Sequence, residues 1–401
     1  MAATGASAAR PHMPPVLWAL LFGNFVVGTG IMIVPAMMNE LSASLQVSIP
    51  VAGRLISYAS LLMCLGAPLL AWLVAGWDRR RLLALTMAWY GAMHVVCAFM
   101  PGFESLMWAR VLAMLAPAIF TPQAAACIGL LVPPSQRGRA ISLVLLGWSV
   151  ASVVGMPLGA WMGGAYGWRS AFVMVALMGL AGALWVWFAM PDGVKPPAFS
   201  LQAWRQTFQS KALMLCVAVT ALASGGQFVL FSYLAPYFKD AINITPAQLA
   251  LLFMGFGLFG FAGNLWLSRH IDRLGAARGT MLAVGAMALS FGLWPWGTSY
   301  ALAAVVCIPW ALGCFTCNSA QQTRLVGIAP ALASGSVALN SSAMYAGQAF
   351  GAASGGWLIE HGQMSMLHWA GLGGLLLAMG VSWLATRAHR PAQRVEGNRP
   401  F

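Results

Sequence analysis

Twelve long, mostly apolar runs follow one another along this 401-residue chain, at roughly 15–38, 50–74, 82–100, 104–131, 140–164, 170–190, 211–237, 246–268, 277–297, 300–322, 332–358 and 366–386. A helix needs about 20 such residues to cross the hydrocarbon of a bilayer. No water bonds to the backbone there, so each run has to close its hydrogen bonds within itself as a helix. A β-barrel is excluded, because barrel strands alternate apolar and polar residues over about 10 positions. A soluble enzyme is excluded as well: 7% of the residues are charged and 60% hydrophobic, against about 25% charged in a soluble domain. Disorder needs low hydrophobicity and is excluded by the same numbers. The expected fold is an all-α membrane protein with twelve transmembrane helices.

The longest connection runs from Pro191 to Ser210. It divides the chain into an amino-terminal six-helix bundle (1–190), a cytoplasmic linker (191–210), a carboxy-terminal six-helix bundle (211–387) and a cytoplasmic tail (388–401). The net charge is +13, which in a soluble protein would point to nucleic acid. Placing both termini in the cytoplasm puts 17 of the 21 Lys and Arg residues on that side, three outside, and Arg110 within a helix. That bias is the positive-inside pattern. It accounts for the charge through the lipid bilayer, with no nucleic-acid partner. The expected location is the cell inner membrane, crossed many times by a chain acting as a monomer.

The two halves echo each other. Gly66 and Gly263 are 197 residues apart, as are Pro133 and Pro330. Gly155-x-x-x-Gly159-x-Trp161 recurs as Gly351-x-x-x-Gly355-x-Trp357 at an offset of 196. Internal repeats are a common plan of secondary transporters, with the substrate site between them near the bilayer midplane. The small residues Ala151, Gly155, Gly159 and Gly163 are four apart, as are Gly347, Gly351 and Gly355. This spacing allows close helix contact, read either as static packing or as a sliding contact across the halves. Pro117, Pro122, Pro157 and Pro309 are expected to kink their helices. The seven cysteines, including the Cys314-x-x-Cys317 pair, read as small apolar residues rather than metal or redox ligands.

The stretch from Gly66 to Arg81, with Asp78-Arg79-Arg80-Arg81, resembles the helix 2–3 signature of the major facilitator superfamily, closest to arabinose-efflux-permease-like members of its twelve-helix drug/proton antiporter branch. Trp108-Ala-Arg110, Val132-Pro-Pro-Ser-Gln-Arg137-Gly-Arg139, Gly155-Met-Pro157-Leu-Gly159, Gly167-Trp168-Arg169, Tyr233-Leu-Ala-Pro236, Gly263-Asn264-Leu265 and Gln322-Thr323-Arg324 are similar to further motifs of this group. The resemblance implies two pseudo-symmetric six-helix bundles that move by alternating access. It also implies a cytoplasmic gate formed by Arg79, Arg80 and Arg81 with Asp272 and Arg273, and a coupling role for Arg110. The signature's first Asp and Arg are replaced here by Ala75 and Gly76, which shifts weight onto Asp272 and Arg273.

Ionisable groups at membrane depth are costly and mark function. This chain offers Arg110 and His94 on different segments and without an evident partner. His94 titrates near neutral pH in the absence of other influences. Glu40 and Arg54 sit near the outer ends of their segments, either as an outer gate pair or with Arg54 snorkelling. No Asp or Glu lies deep in a run, so Arg110, Glu40 and His94 are the coupling candidates. Uncharged polar residues then mark the substrate pathway: Asn24, Thr29, Tyr58, Gln123, Gln227, Tyr233, Asn318, Asn340, Tyr345 and Gln348, with Arg110. The reading is a secondary transporter, not an enzyme, that exports small organic compounds, drug-like or sugar-like. The proton gradient supplies the energy, no cofactor or metal is expected, and no Walker-type phosphate loop is present. Its rivals are import or facilitated passage of sugars or organic acids, and a membrane sensor that binds without flux.

Overall fold

The computed structural model describes residues 14–74, 76–133, 136–195 and 201–396. Ala75, Pro134 and Ser135 of the motifs above, with Arg10 and Arg399, both counted in the arginine bias, lie outside these residues. Among the described residues seventeen α-helices are formed: α1 Pro15–Ala36, α2 Met38–Leu45, α3 Ile49–Leu73, α4 Arg79–Phe99, α5 Phe103–Ala113, α6 Leu115–Leu131, α7 Arg137–Val150, α8 Met156–Tyr166 and α9 Trp168–Ala189, then α10 Leu201–Gln209, α11 Lys211–Phe231, α12 Leu234–Ile242, α13 Pro246–Leu274, α14 Ala276–Leu293, α15 Tyr300–Ile328, α16 Ala333–Glu360 and α17 Leu367–Glu396. Among the described residues, eleven helical stretches are long and apolar enough to cross a membrane. The remaining expected run folds as α16, a 28-residue helix whose Ser, Asn and Gln residues make it less apolar. The connection between the halves carries the short helix α10, and α17 runs past residue 387 to Glu396.

Local chemistry sets the helix starts. Asp78 caps α4 by accepting from the Arg80 and Arg81 amides at 3.0 and 3.3 Å. Thr245 and Gln248 form a reciprocal capping box at α13. Ser299 caps α15 through the Leu302 amide at 3.4 Å. The residues Ala151–Gly155 form a π-helical turn between α7 and α8. Pro157 explains it: proline has no N–H to give to the carbonyl four residues back, and its ring crowds that turn.

The repeat is written in the backbone. α1 breaks into α2 at Met37 and α11 breaks into α12 at Tyr233, with φ of −120° and −121°. α2 and α12 then end at Gln46 and Asn243, whose φ are 52° and 50°. The turns before α9 and α17 both use a glycine of positive φ, Gly167 at 82° and Gly362 at 72°.

The small-residue ladders pack within each half, not across the halves. A β-carbon at Gly155 would overlap Thr29 of α1, and one at Gly159 would overlap Ile33. In the other half, Gly351 and Gly355 lie against the Gly225 and Val229 carbonyls of α11. In this conformation the ladders serve close packing inside each half.

Contacts between the halves come from other residues. α3 runs along α16, and α13 packs on α8 and the π turn. Gly257 of α13 meets the Ser152 and Val153 backbone, Gly164 of α8 meets Pro246, and Gly53 of α3 meets the Tyr233 ring. α12 touches α1 and α2. Apart from the contact at Gly257, these tight approaches lie toward the end of the molecule that carries α2 and α12.

Candidate functional site

A cavity of about 250 Å³ lies between the two halves. The first half gives it an apolar wall, Ile31, Met32, Ile56, Leu145, Trp148 and Met156, broken by the hydroxyls of Thr121, Ser149 and Ser152. The second half gives the amides Gln227, Asn264, Asn318, Gln322 and Gln348 beside Tyr345, Thr220 and Ser224, set among Phe228, Phe231, Phe256, Phe315 and Met344. No Asp, Glu, Lys, Arg or His is among these lining residues. Cys314 and Cys317 both line the cavity as free thiols.

The structure sorts the expected pathway residues into layers. Gln227, Asn318, Tyr345 and Gln348 line the cavity. Asn340 sits one step behind, donating to Asn318 Oδ1 at 3.2 Å. Asn24 sits behind Thr121, whose hydroxyl donates to Asn24 Oδ1 at 2.8 Å. The others lie elsewhere. Tyr58 is 43% exposed on the outside of α3. It is two residues from Ile56, and two residues turn a helix by about 200°. Gln123 is turned from Thr121 in the same way and is buried in its own half. Thr29 is buried against Gly155. Tyr233 donates its hydroxyl to the Ala352 carbonyl at 2.6 Å and fills the closed end of the molecule.

Arg110 and His94 are not isolated. Arg110 Nη1 meets His94 Nε2 at 3.1 Å, and Nη2 donates to the Gly30 carbonyl at 2.6 Å. A guanidinium only donates, so His94 Nε2 accepts. His94 Nδ1 faces the Tyr90 carbonyl at 2.8 Å, which accepts its proton. The imidazole is thus held neutral, in one tautomer, by two partners of fixed polarity. The guanidinium also lies 6.0 Å from the centre of the Phe172 ring. Neither Arg110 nor His94 lines the cavity.

Glu40 is half-buried in the first turn of α2, beside Gly164, and that burial raises its carboxyl above the ordinary value. Arg54 is exposed on α3, and among the described residues no ion pair joins it to Glu40, which leaves the snorkelling reading of Arg54. Among the described residues the salt bridge is Arg80–Asp192, at 2.9 Å.

Arg79 and Arg80 find partners inside their own half. Arg79 donates to the Val74 and Trp77 carbonyls at 3.1 and 2.7 Å. Arg80 also lies 4.8 Å over the Trp187 ring. Asp78 Oδ2 accepts from the Gly193 amide at 2.7 Å. This loop therefore ties α3 and α4 to the segment after α9. Asp272 and Arg273 are exposed at the end of α13. Among the described residues no ion pair joins Arg79, Arg80 or Arg81 to Asp272.

Asn264, Gln322 and Thr121 also face the cavity. Their polarity within apolar runs was the available signal. Asn264 and Gln322 stand in stretches read for resemblance rather than as site residues.

Two helical bundles around an uncharged central cavity define a membrane carrier. The chain belongs to the Major Facilitator Superfamily, whose model matches residues 20–338. It is 26% identical to the inner membrane transport protein YdhP of Escherichia coli (strain K12), over 86% of this chain and 89% of that one. It is 29% identical to the chloramphenicol efflux pump Rv0191 of Mycobacterium tuberculosis, over 67% of each chain. Its fold matches a bacterial homolog of the human lysosomal transporter Spinster with a TM-score of 0.75, at 17% identity, covering 94% of this chain and 97% of that one. It is a multi-pass membrane transporter and not an enzyme.

Proposed function

We propose that this transporter exports small organic compounds across the inner membrane by alternating access, driven by the proton gradient. The observation that carries this reading is the central cavity, closed at the α2/α12 end by contacts between the halves. The arginine bias supports placing that end outside and both termini in the cytoplasm. A relative named for chloramphenicol efflux supports the direction. The cavity lies within one chain, so a monomer suffices.

Proton coupling falls to Glu40 in this reading. No carboxylate lines the cavity, and His94 Nε2 is occupied by Arg110. Glu40 sits at the outer closure, where opening would hydrate it. Arg110 acts as a positioning residue that holds α1 to α4 and α5.

Cells expressing the protein are compared with empty-vector cells for accumulation of labelled chloramphenicol and sugars, with and without a protonophore. Export predicts lower accumulation that the protonophore erases. Higher accumulation would make the chain an importer. Flux indifferent to the protonophore would favour the facilitator reading, for which the absence of a lining carboxylate speaks.

A further inference from the structure

Two of the amides that line the cavity have a fixed direction. Gln227 Oε1 accepts from the indole N–H of Trp310 at 3.2 Å. An indole nitrogen only donates, so the atom facing Trp310 has to be the amide oxygen. The NH₂ of Gln227 is thereby turned away from Trp310, on a side chain that lines the cavity. Trp310 itself is fully buried, with no room to change its hydrogen bond for water.

A second chain of bonds reaches the cavity with the same polarity. It starts at the Cys216 carbonyl, which only accepts. Gln321 Nε2 donates to it at 2.7 Å and reaches Thr220 Oγ1 at 3.3 Å. The Thr220 proton is therefore left for Asn340 Oδ1, at 2.5 Å. Asn340 is then obliged to present its nitrogen to Asn318 Oδ1, at 3.2 Å. Asn318 is left with its NH₂ facing the cavity it lines. Among the described residues neither free amide nitrogen, of Gln227 or of Asn318, has a protein acceptor.

Opposite them stands the apolar wall of Ile31, Met32 and Trp148. With no ionised side chain in the lining, an ionic solute would be desolvated without a counter-charge, at large cost. We propose that the cavity binds uncharged solutes by their acceptor oxygens (carbonyl, nitro or ether), held by the amide donors of Gln227 and Asn318, with the apolar part of the solute against the aliphatic and aromatic lining of both halves. This rests on the reading of the cavity as the substrate site and names the class of solute it takes.

The test is equilibrium dialysis of the purified protein in lipid nanodiscs, with empty nanodiscs subtracted. The probes are N,N-dimethylbenzamide, an acceptor without a donor; isopropylbenzene, with neither; indole, a donor; and the ions benzoate and benzyltrimethylammonium. Dimethylbenzamide should bind about tenfold more tightly than isopropylbenzene, the worth of a well-formed hydrogen bond or two. The ions should not be retained. Asn318→Asp replaces the free donor by an acceptor and should erase most of the preference. Trp310→Phe leaves the polar lining intact and frees Gln227 to flip. It should weaken dimethylbenzamide and strengthen indole, a change that partial unfolding would not produce.

Equal retention of dimethylbenzamide and isopropylbenzene, retention of the ions, unaltered selectivity in both variants, or no binding of any probe would each overturn the proposal. Export by cells without acceptor preference in dialysis would sink this inference and leave export standing. Acceptor preference without flux in cells would do the reverse.

Discussion

Gln46 and Asn243 lie 197 residues apart, and both hold the left-handed backbone, at φ of 52° and 50°. They end α2 and α12, the short helices that close the same end of each half. Two non-glycine residues in this conformation at matching positions show that the two halves share one turn. Left-handed backbone costs a residue with a β-carbon about 1–2 kcal/mol, and less for Asn, whose side chain bonds locally. Gln46→Asn should therefore raise stability by a few tenths to about 1 kcal/mol, while Asn243→Gln should lower it by a similar amount. Thermal unfolding of the two variants in detergent, moving in opposite directions, checks this. Equal shifts would mean that the backbone there is not under strain.

A second expectation concerns the buried pair at 3.1 Å, Arg110 and His94. Removing the guanidinium leaves His94 Nε2 buried without a donor, at about 1–3 kcal/mol. Removing the imidazole alone leaves a buried cation with one acceptor fewer. Arg110→Ala and His94→Leu should each destabilise, and the double variant should cost less than their sum, by about 0.5–3 kcal/mol. Denaturant titration of all four forms measures the coupling. Arg110→Ala should also abolish protonophore-sensitive export at normal membrane levels of the protein, and undiminished export would remove Arg110 from the mechanism.

The all-helical, many-times-spanning architecture was legible because hydrocarbon length and long apolar runs leave little choice, whereas the breaks at Met37 and Tyr233 that split runs into two helices were not. The repeat was legible from glycines, since Gly155 and Gly351 mark close helix contact. Their partners were not legible, because spacing gives a face but not what lies opposite, and each ladder packs inside its own half. The same limit governed the pathway. Gln227 and Asn318 face the cavity, whereas Tyr58 and Gln123 do not, and only the rotation of each helix separates them. Arg110 and His94 were legible singly, as costly residues, but their pairing depends on how α4 and α5 cross. The arginines at 79–81 carried a topology signal and nothing about their acceptors, which come from backbone carbonyls and Asp192.

The loop before α4 separates two kinds of acid. Asp78 accepts from three backbone amides, those of Arg80, Arg81 and Gly193. Asp192 makes an ion pair with Arg80 in which its own side chain is 69% exposed. Loss of a helix cap costs about 1 kcal/mol, and the extra bond to Gly193 adds to it. An exposed pair is worth about 0–1 kcal/mol and is screened by salt. Asp78→Ala should lower the unfolding midpoint clearly, and Asp192→Ala should leave it almost unchanged, least affected in high salt. A larger loss from Asp192→Ala would mean that the ion pair, not the cap, anchors this loop.

The last expectation follows from Glu40. Its burial at the closed end raises its carboxyl above the ordinary value, so this conformation binds the proton more tightly than one in which Glu40 is hydrated. Linkage then fixes the sign. The closed conformation gains stability over the open one as pH falls through the raised value, and loses that gain as pH rises above it. Spin labels at Ser44 on α2 and Ala241 on α12, both exposed, report the separation of these helices. Acidification should increase the population with the short distance, and Glu40→Gln should hold it at the acid-like value at every pH. A distance distribution that ignores pH in the parent protein, or a Glu40→Gln variant that still responds, would move the proton elsewhere.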